Sequence, residues 1–386
     1  MADIAGFNSN TIQSEMPFSF KPAIPPGSRV LVTAVNSYIG SHVAHMLLDL
    51  GYKVRGAGRD FDRCRWVIQR FEGQYDKEAF EFVAVENMSS EGAYDKSLSG
   101  IAGVIHVASP TQFSSDPNEI IPTATNGVLS VLESTLQQKS VLRFVLTSSS
   151  VAVLEPSSQS LEVTSEMWNE EAVHKAWAPP PYLQERAMAV YAASKVRSEQ
   201  AMWDWLARKD PSFKANSVIP SFVFGRRWDW LARKDPSFKA NSIIPSFVFG
   251  RPLDVQYQGY PSSSGIPIVV YDNDPKKMAE FIDNFPPFFF VDVEDVARLH
   301  IAALLHPEVA NERLFAFAGP FNRNDLIRTL QHLFPDRQFP EEFPSSTQNE
   351  SKILPAKRAE DLLKQMWGKG FSSLDDSLRA NLEEYF

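Results

Sequence analysis

Tyr191 and Lys195 stand four residues apart in the stretch "VYAASKVRSEQ", a spacing that puts both side chains on one face of a helix. Such a pair suits the reduction of a carbonyl group, in which a proton must reach the oxygen while a hydride reaches the carbon. A neighbouring ammonium group favours the phenolate and therefore lowers the pKa of a tyrosine. We predict that Tyr191 donates the proton and that Lys195 supports it.

The same chemistry needs a hydroxyl group that hydrogen-bonds the carbonyl oxygen. The stretch "VLRFVLTSSS" offers three candidates at its end, namely Ser148, Ser149 and Ser150. Its apolar part predicts a buried strand, and ligands of open parallel sheets lie at the carboxyl ends of strands. The serines are therefore expected at the edge of a sheet, beside the helix of Tyr191.

A dinucleotide-binding loop is indicated by "VTAVNSYIGSHV", which runs from Val32 to Val43 between a predicted strand and a predicted helix. Such loops use three glycines: one for the turn, one for approach to the pyrophosphate and one for packing of the helix on the strand. Here the three places hold Ala34, Ser37 and Gly40. A positive φ at Ala34 would cost about 1 kcal/mol. We predict a cofactor loop of reduced affinity, and the alternative is a turn that binds nothing.

The second predicted strand, "KVRGAG", indicates which cofactor is bound. Sites for NAD place an acidic residue about 20 residues beyond the loop, whereas sites for NADP favour arginine. This strand carries Arg55, with Arg59 just behind it, and no acidic residue at its end. The pattern favours NADPH, and the alternative is that both arginines are ordinary solvated side chains.

Alternating apolar runs and helical segments position these residues. Five predicted strands ("RVLVTA", "KVRGAG", "FEFVAVE", "GVIHVAS" and "VLRFVLTSSS") are separated by helices, which is typical of a doubly wound parallel sheet of the Rossmann type. We predict a polar tail over 1–26 that packs loosely or not at all, a nucleotide-binding domain over 27–250 and a mostly irregular substrate lobe over 251–386. Elements near 288–334 are expected to return to the sheet.

The composition excludes several classes of protein. The chain of 386 residues is 44% hydrophobic and 22% charged, as soluble globular proteins are. Its net charge of −9 argues against nucleic-acid binding, and no apolar stretch predicts a signal peptide or a membrane span. A single cysteine, Cys64, leaves no disulfide framework, so we expect a cytoplasmic protein.

A tandem repeat interrupts the predicted nucleotide-binding domain and indicates either a recent local duplication or an error in assembling the coding sequence. Residues 203–227 and 228–252 differ only at Val218/Ile243 and Arg227/Pro252. Two copies are too few for a solenoid, which needs three or more. Each copy holds a helix end and one strand, so two strands compete for one place in the sheet. Continuity with the preceding helix favours the first copy, and the other copy must loop out or add a strand.

Taken together, these motifs resemble extended short-chain dehydrogenases/reductases, in the dihydroflavonol-reductase-like branch of the NAD(P)-dependent epimerase/dehydratase family. The chain is most similar to the NADPH-dependent aldehyde and ketone reductases of fungi and yeasts. The stretches "GVIHVASP", "RFVLTSSS", "VYAASK" and "FFFVDVEDVARLHIAALL" fall in the family's order, and the resemblance covers roughly 24–380.

The resemblance implies roles for particular residues. Ser149 matches the catalytic serine, Tyr191 the proton donor and Lys195 its partner, which also holds the nicotinamide ribose; Arg55 matches the residue that takes the 2′-phosphate of NADPH. The other residues expected around the cofactor are Ala34, Ser37, Tyr38, Ile39, Gly40, Asn87, Met88, Val107, Ala108, Ser109, Pro220 and Val223. The wall that contains Pro220 occurs a second time at Pro245.

The expected function is the NADPH-dependent reduction of an aldehyde or ketone by a monomer or homodimer. Leu154 stands where flavonoid reductases carry a polar residue for their substrate, so a small apolar carbonyl compound, as in secondary metabolism, is favoured. The alternatives are a nucleotide-sugar epimerase or dehydratase on the same fold, and a degenerate scaffold without catalysis. His42 and His45 lack further ligands for a metal, and Asp292 and its acidic neighbours are expected to cap a helix.

Overall fold

The computed structural model describes residues 18–110, 112–156, 160–209, 238–283 and 285–385. Its strands are β1 (Arg29–Thr33), β2 (Lys53–Gly58), β3 (Phe80–Ala84), β4 (Ile101–His106), β5 (Arg143–Thr147), β6 (Glu162–Val163), β7 (Lys239–Pro245), β8 (Phe247–Phe249), β9 (Phe288–Asp292), β10 (Arg313–Ala316), β11 (Gly319–Phe321) and β12 (Lys352–Ile353).

The α-helices are α1 (Tyr38–Asp49), α2 (Phe61–Gln74), α3 (Pro117–Leu136), α4 (Glu170–Ala176), α5 (Ala187–Lys209), α6 (Val255–Gln258), α7 (Gly265–Asp272), α8 (Pro275–Phe281), α9 (Val293–Leu305), α10 (Arg323–Leu333), α11 (Ala356–Trp367) and α12 (Leu374–Leu382). Short 3-10 helices span Asp95–Ser97, Ser150–Ala152, Gln184–Arg186 and Ser262–Ser264.

The central sheet has seven strands in the order β3-β2-β1-β4-β5-β7-β10, and every neighbouring pair is parallel. The strand order reverses direction between β1 and β4, which is the switch point where open α/β sheets bind ligands. The five strands predicted from apolar runs are all present, so the Rossmann-type doubly wound fold is confirmed.

Helices cover both faces of this sheet. On one face α1 and α11 pack against α9, and on the other face α3 and α4 pack against α5. Because both faces are covered, the central strands are rich in apolar residues, and β5 is buried at every residue. The sheet edge that carries the loops after β1, β4 and β5 is thereby held in a rigid frame.

A smaller assembly follows the central strands along the chain. A three-stranded sheet, β11-β9-β8, and the helices α7, α10 and α12 bury a second apolar cluster that is rich in phenylalanine. Within 288–334, β10 pairs with β7 of the main sheet and α9 packs against α1. The division into a nucleotide-binding domain and a substrate lobe stays a prediction.

The two copies of the repeat contribute different elements to the fold, whereas the first copy was expected to supply both the helix end and the strand. The first copy supplies the end of α5, but β7 comes from the second copy, so the preference for the first copy was wrong for the strand. The physical reason is the chain that follows β7: the carbonyl groups of Gly250 and Arg251 hydrogen-bond Tyr38 and His42 of α1. A strand taken from the second copy runs directly into this docked segment. The first copy's strand lies outside the described residues.

The described part of the N-terminal tail is packed against the main core, contrary to the expectation for 1–26. Ile24 is fully buried, the amide of Ala23 donates to the carbonyl oxygen of Leu305, and the Tyr52 hydroxyl donates to the carbonyl oxygen of Ile24. The apolar residues of this segment lie in a groove beside α9. The polar composition of the tail obscures them in the sequence. Residues 1–17 lie outside the described part.

In the part of the chain that the structure describes, no helix is long and apolar enough to cross a membrane. Within the same residues, no group of three or more histidine, cysteine, aspartate or glutamate side chains is arranged to hold a metal ion. His42 contacts the carbonyl oxygen of Arg251, whereas His45 contacts the Tyr75 hydroxyl group, so the two histidines serve separate structural contacts.

Candidate active site

The loop between β1 and α1 has the geometry of a phosphate-binding turn. Ala34 has a φ of 50°, in the left-handed region that favours glycine. Ser37 caps α1, and its Oγ accepts a hydrogen bond of 3.2 Å from the amide of Gly40. A Cβ atom at Gly40 would overlap the carbonyl oxygen of Ala34 and lie 2.9 Å from Ser37 Oγ. The third glycine is therefore required by packing, while the first has been replaced at the cost of strain.

The strain at Ala34 leads to a first prediction. Replacement of Ala34 by glycine is expected to stabilise the fold by up to about 1 kcal/mol, because the left-handed backbone no longer strains a Cβ atom. It should also tighten NADPH binding, measured by fluorescence titration, since a relaxed turn presents the amides of α1 with less rearrangement. The control is Asn273→Gly, at another left-handed residue (φ 51°) that ends α7. Equal effects of both variants on NADPH binding would contradict the prediction.

Thr33, which the sequence reasoning missed, joins this loop to the strand across the switch point. Its Oγ1 accepts hydrogen bonds from the amides of Val107 (2.9 Å) and Ala108 (3.0 Å) and lies 3.1 Å from His106 Nδ1. These contacts bring the stretch after β4 against the end of β1. The expected cofactor-lining stretch, which continues to Ser109, thus lies at the same edge as the loop of Ala34.

Arg55 is not brought to this edge. It is the third residue of β2 and pairs with Leu31 in the middle of β1. Its Nε donates to Glu81 at 2.6 Å, and its Nη1 donates to the carbonyl oxygens of Ser97 and Ser99 at 2.8 Å each. Those partners lie before β4 and near the start of β3, at the amino ends of the strands. Arg55 therefore braces the opposite edge of the sheet.

Arg59 lies where Arg55 was expected. It follows Gly58, the last residue of β2, and is exposed at the carboxyl edge. The neighbouring Asp60 caps α2 and accepts a 2.9 Å hydrogen bond from the amide of Arg63. The carbonyl oxygen of Arg63 in turn contacts the Asn36 side chain in the loop after β1. The rule that ligands meet strand ends selects Arg59, because the predicted strand "KVRGAG" ends at Gly58 and Arg55 lies inside it.

The remaining expected cofactor residues surround the same edge. Tyr38 and Ile39 form the first turn of α1, and the Tyr38 hydroxyl donates to the carbonyl oxygen of Gly250 at 2.7 Å. Asn87 follows β3, and its Oδ1 accepts hydrogen bonds from the amide and hydroxyl of Ser89. Met88 packs towards α3, where a Cβ atom at Gly127 would lie only 3.2 Å from its Cε.

The repeated wall of the site is represented by its second copy alone. Pro220 and Val223, the residues expected from the first copy, lie outside the described residues. Their counterparts are Pro245, which ends β7, and Val248 in β8. The amide of Val248 donates to Ser263 Oγ at 2.8 Å, so this strand is tied to the loop before α7.

The three candidate serines point in different directions. Ser149 is hydrogen-bonded through its side chain to Tyr191. Ser148 points the opposite way, as neighbouring residues of an extended chain do, and its Oγ donates to Glu199 at 2.6 Å. Ser150 is buried at the start of the 3-10 helix. Ser149 is therefore the serine that contacts Tyr191, whereas Ser148 contacts Glu199.

Tyr191 and Lys195 lie on one face of α5, and the Lys195 Nζ is 5.8 Å from the centre of the Tyr191 ring. Burial raises the pKa of Tyr191, and the hydrogen bond with Ser149 opposes this effect. Burial lowers the pKa of Lys195 to about 8, against the opposing charge of Glu199. The lowered tyrosine pKa expected from the sequence is thus not seen, because desolvation dominates in this structure. The phenol is protonated at neutral pH, as a proton donor must be.

Two further side chains border Tyr191 or the serine strand. The ring of Phe113, in the stretch after β4, lies 5.4 Å from the Tyr191 ring and is 57% exposed. Leu154, the residue expected to favour an apolar substrate, is buried in the phenylalanine-rich cluster. Asp292 caps α9 by accepting a 2.8 Å hydrogen bond from the amide of Glu294, which confirms its expected role.

Comparisons with known proteins show the family of the chain. The model of the "NAD dependent epimerase/dehydratase family" matches residues 30–316. The NAD-dependent epimerase/dehydratase terH of Aspergillus terreus is 34% identical over 361 residues, which are 93% of this chain and 97% of that protein. Aldehyde reductase 2 of Sporidiobolus salmonicolor is 32% identical over 358 residues, covering 92% and 95% of the two chains.

A solved structure has the same fold. The yeast methylglyoxal/isovaleraldehyde reductase Gre2, complexed with NADPH, superimposes with a TM-score of 0.72 and 24% sequence identity. The match covers 92% of this chain and 97% of that one. The superposition thus extends over both the central sheet and the smaller assembly.

Proposed function

Since the chain belongs to the NAD dependent epimerase/dehydratase family, we propose that it is an NADP-dependent oxidoreductase that reduces an aldehyde or ketone to the alcohol. The observation that carries the proposal is the contact of Ser149 with Tyr191 beside Lys195, at the strand edge where the loop of Gly40 also lies. Among the relatives, the names aldehyde reductase and ketoreductase recur.

The residues at this edge fit a dinucleotide. The absence of a side chain at Gly40 keeps the turn close to the start of α1, where the first amides of a helix have no partners within the helix and attract phosphate. Val107 and Ala108 line the neighbouring strand end. When bound, NADPH supplies the hydride that the carbonyl carbon receives.

The chain's own residues handle the proton. Ser149 hydrogen-bonds the substrate oxygen and holds it within reach of the Tyr191 hydroxyl, which transfers its proton to that oxygen as the alcohol forms. Lys195 stabilises the resulting phenolate with its positive charge. Lys195 is buried and Tyr191 is partly buried, so water screens this attraction less than at the surface.

We assign the 2′-phosphate of the cofactor to Arg59 instead of Arg55. Arg59→Gln is expected to weaken NADPH binding about 10- to 100-fold, because a charge-assisted hydrogen bond is lost, and to leave NADH binding unchanged. Fluorescence titration with both cofactors measures the effect. Arg379→Gln removes another exposed arginine, on α12, and serves as the control. Equal loss for NADPH and NADH would contradict the assignment.

We further propose that the substrate is a small apolar carbonyl compound. The exposed ring of Phe113 beside Tyr191 supports this, because an apolar substrate gains by covering it. Leu154 is apolar and is buried in an apolar cluster, so this position offers no polar group to a substrate. The cytoplasmic location and the monomeric or homodimeric state stay predictions.

An epimerase or dehydratase that acts on nucleotide sugars is the second candidate, since the family includes such enzymes by name. The end of β2 disfavours it, because Asp60, the nearest acidic residue, is engaged as the cap of α2. A degenerate scaffold without catalysis is disfavoured by the intact contact between Ser149 and Tyr191.

The test begins with fluorescence titration of the purified chain with NADPH and with NADH. The expected result is binding with a clear preference for NADPH, followed by NADPH oxidation in the presence of aldehydes or ketones. Binding of neither cofactor would overturn the proposal in favour of a scaffold. A preference for NADH with tight retention of the cofactor would favour the epimerase.

A further inference from the structure

Beneath Tyr191 and Lys195, α5 carries a third polar side chain at the same spacing, Glu199. It is fully buried, and its carboxylate accepts hydrogen bonds from donors on three other elements and on its own helix. The donors are Ser148 Oγ at 2.6 Å, Ser242 Oγ at 2.7 Å, Arg313 Nε and Nη2 at 2.8 and 3.3 Å, and Trp203 Nε1 at 3.4 Å.

Arg313 fixes this carboxylate from the edge strand β10. Both side chains of the pair are buried, and the guanidinium also donates to the carbonyl oxygens of Ser165 (2.6 Å) and Met167 (2.9 Å). It lies 3.8 Å from the centre of the Trp168 ring. A buried ion pair contributes little net stability compared with apolar residues of the same size, so stability alone does not account for this pair.

A further reason for the pair lies in the residues that the carboxylate connects. Ser148 precedes Ser149 in the chain, so the bond to Glu199 fixes the strand end from which Ser149 reaches Tyr191. Lys195 is one helical turn from Glu199 on the same helix, and the negative charge of Glu199 acts to keep the lysine protonated.

We propose that Glu199 is a positioning residue for the carbonyl reduction assigned above, on which this inference rests. Its carboxylate, held by Arg313, fixes the strand end that carries Ser149 against the helix that carries Lys195. The charged state of Glu199 follows from its surroundings: burial acts to raise its pKa, but Arg313 and the two serine hydroxyls outweigh burial and hold the pKa below the usual range.

Two serine variants separate positioning from structural support. Ser148→Ala and Ser242→Ala each remove one buried hydroxyl from the same carboxylate, at nearly the same distance. Of these two serines, only Ser148 is the sequence neighbour of Ser149. We expect Ser148→Ala to lower kcat about tenfold, with a loss at least fivefold larger than that of Ser242→Ala. Equal losses of kcat in the two variants would overturn the proposal.

Removal of the charge tests the same residue directly. Glu199→Gln should lower kcat about 30- to 100-fold while the dissociation constant of NADPH changes less than threefold, and Glu199→Asp should recover part of the loss. The control is Asp295→Asn, which breaks the pair of this fully buried carboxylate with the partly buried Arg298, far along the chain on α9. Asp295→Asn should lower Tm and leave kcat unchanged. A loss of Tm in Glu199→Gln without any loss of kcat would contradict a positioning role.

A readout without turnover distinguishes this inference from the proposed function. The charged group that acts on Lys195 is Glu199 on its own helix, and Arg313 acts from β10 on Glu199. The other titratable groups near Lys195 are Tyr191, whose ring centre lies 5.8 Å from Nζ, and His106 from β4, which burial keeps neutral with a pKa of about 3. In protein labelled with ¹³C at the lysine ε carbons, with Lys195→Met for assignment, Glu199→Gln should move the Lys195 titration to lower pH. A wild-type protein without reductase activity would refute the proposed function. An unchanged Lys195 titration in Glu199→Gln would refute the role of Glu199. If Glu199→Gln fails to fold, the comparison of Ser148→Ala with Ser242→Ala tests that role instead.

Discussion

Replacement of Tyr191 by phenylalanine is expected to lower kcat by about a thousandfold, because it removes the proton donor and leaves the ring in place. The hydroxyl also bonds Ser149, so the substrate oxygen loses one partner of a two-hydroxyl site. The dissociation constant of NADPH should change only a few fold. The measurement is steady-state NADPH oxidation with the best carbonyl substrate, together with a fluorescence titration of the cofactor.

The control for this variant is Tyr52→Phe. Tyr52 is buried, and its hydroxyl donates to the carbonyl oxygen of Ile24 at 3.0 Å, away from the site. Its loss should reduce the free energy of unfolding by about 1 kcal/mol and leave kcat unchanged. If Tyr191→Phe retained the activity of the wild type, another group would have to donate the proton, and the assigned chemistry would be wrong.

Replacement of Gly40 by alanine is the second large effect. The added methyl group would overlap the carbonyl oxygen of Ala34 and crowd Ser37 Oγ, and the first of these atoms belongs to the backbone. The loop must therefore shift, with an expected loss of about 1–3 kcal/mol in stability. Because the shifted turn no longer presents the first amides of α1 correctly, NADPH should bind at least about 100-fold more weakly.

Gly73 provides the matched substitution. It lies in α2, and a Cβ atom there would meet nothing within 4 Å. Gly73→Ala should therefore be neutral or stabilising by up to about 1 kcal/mol, in line with the higher helix propensity of alanine. Denaturant unfolding and cofactor titration of both variants are the measurements. Similar NADPH binding by Gly40→Ala and wild type would show that the loop of Ala34 does not hold the phosphates.

The central fold could be predicted because its strands are short, continuous apolar runs. The prediction of "KVRGAG" as a strand matches β2 residue for residue, and the other four central strands agree within a few residues. The tail was predicted less well, since Ile24 is one apolar residue in a polar segment and its burial depends on a groove formed far along the chain.

The site residues could be predicted where a short stretch of sequence, one helix or one strand end, contains them. Tyr191 and Lys195 share a helix, and Ser149 lies two residues beyond the end of a strand that the apolar pattern predicts. Arg55 was misplaced because a side chain near the middle of a strand and one at its end differ by only four residues in sequence. The pair of Glu199 and Arg313 carries no local signal, since 114 residues separate the partners and only the fold joins β10 to α5.

One copy of the repeat supplies the end of α5 and the other supplies β7, and this division also affects how the gene can change. Because the two copies are nearly identical, replication slippage that deletes 25 residues yields almost the same shorter chain wherever its breakpoints fall within them. In that chain the helix ending at Lys209 would be followed by Asp-Pro-Ser-Phe and then directly by the strand sequence. A connection of four residues is an ordinary length between a helix and a strand. Contraction of the repeat should therefore be a nearly neutral mutation, whereas loss of any other 25 residues of the sheet would not be.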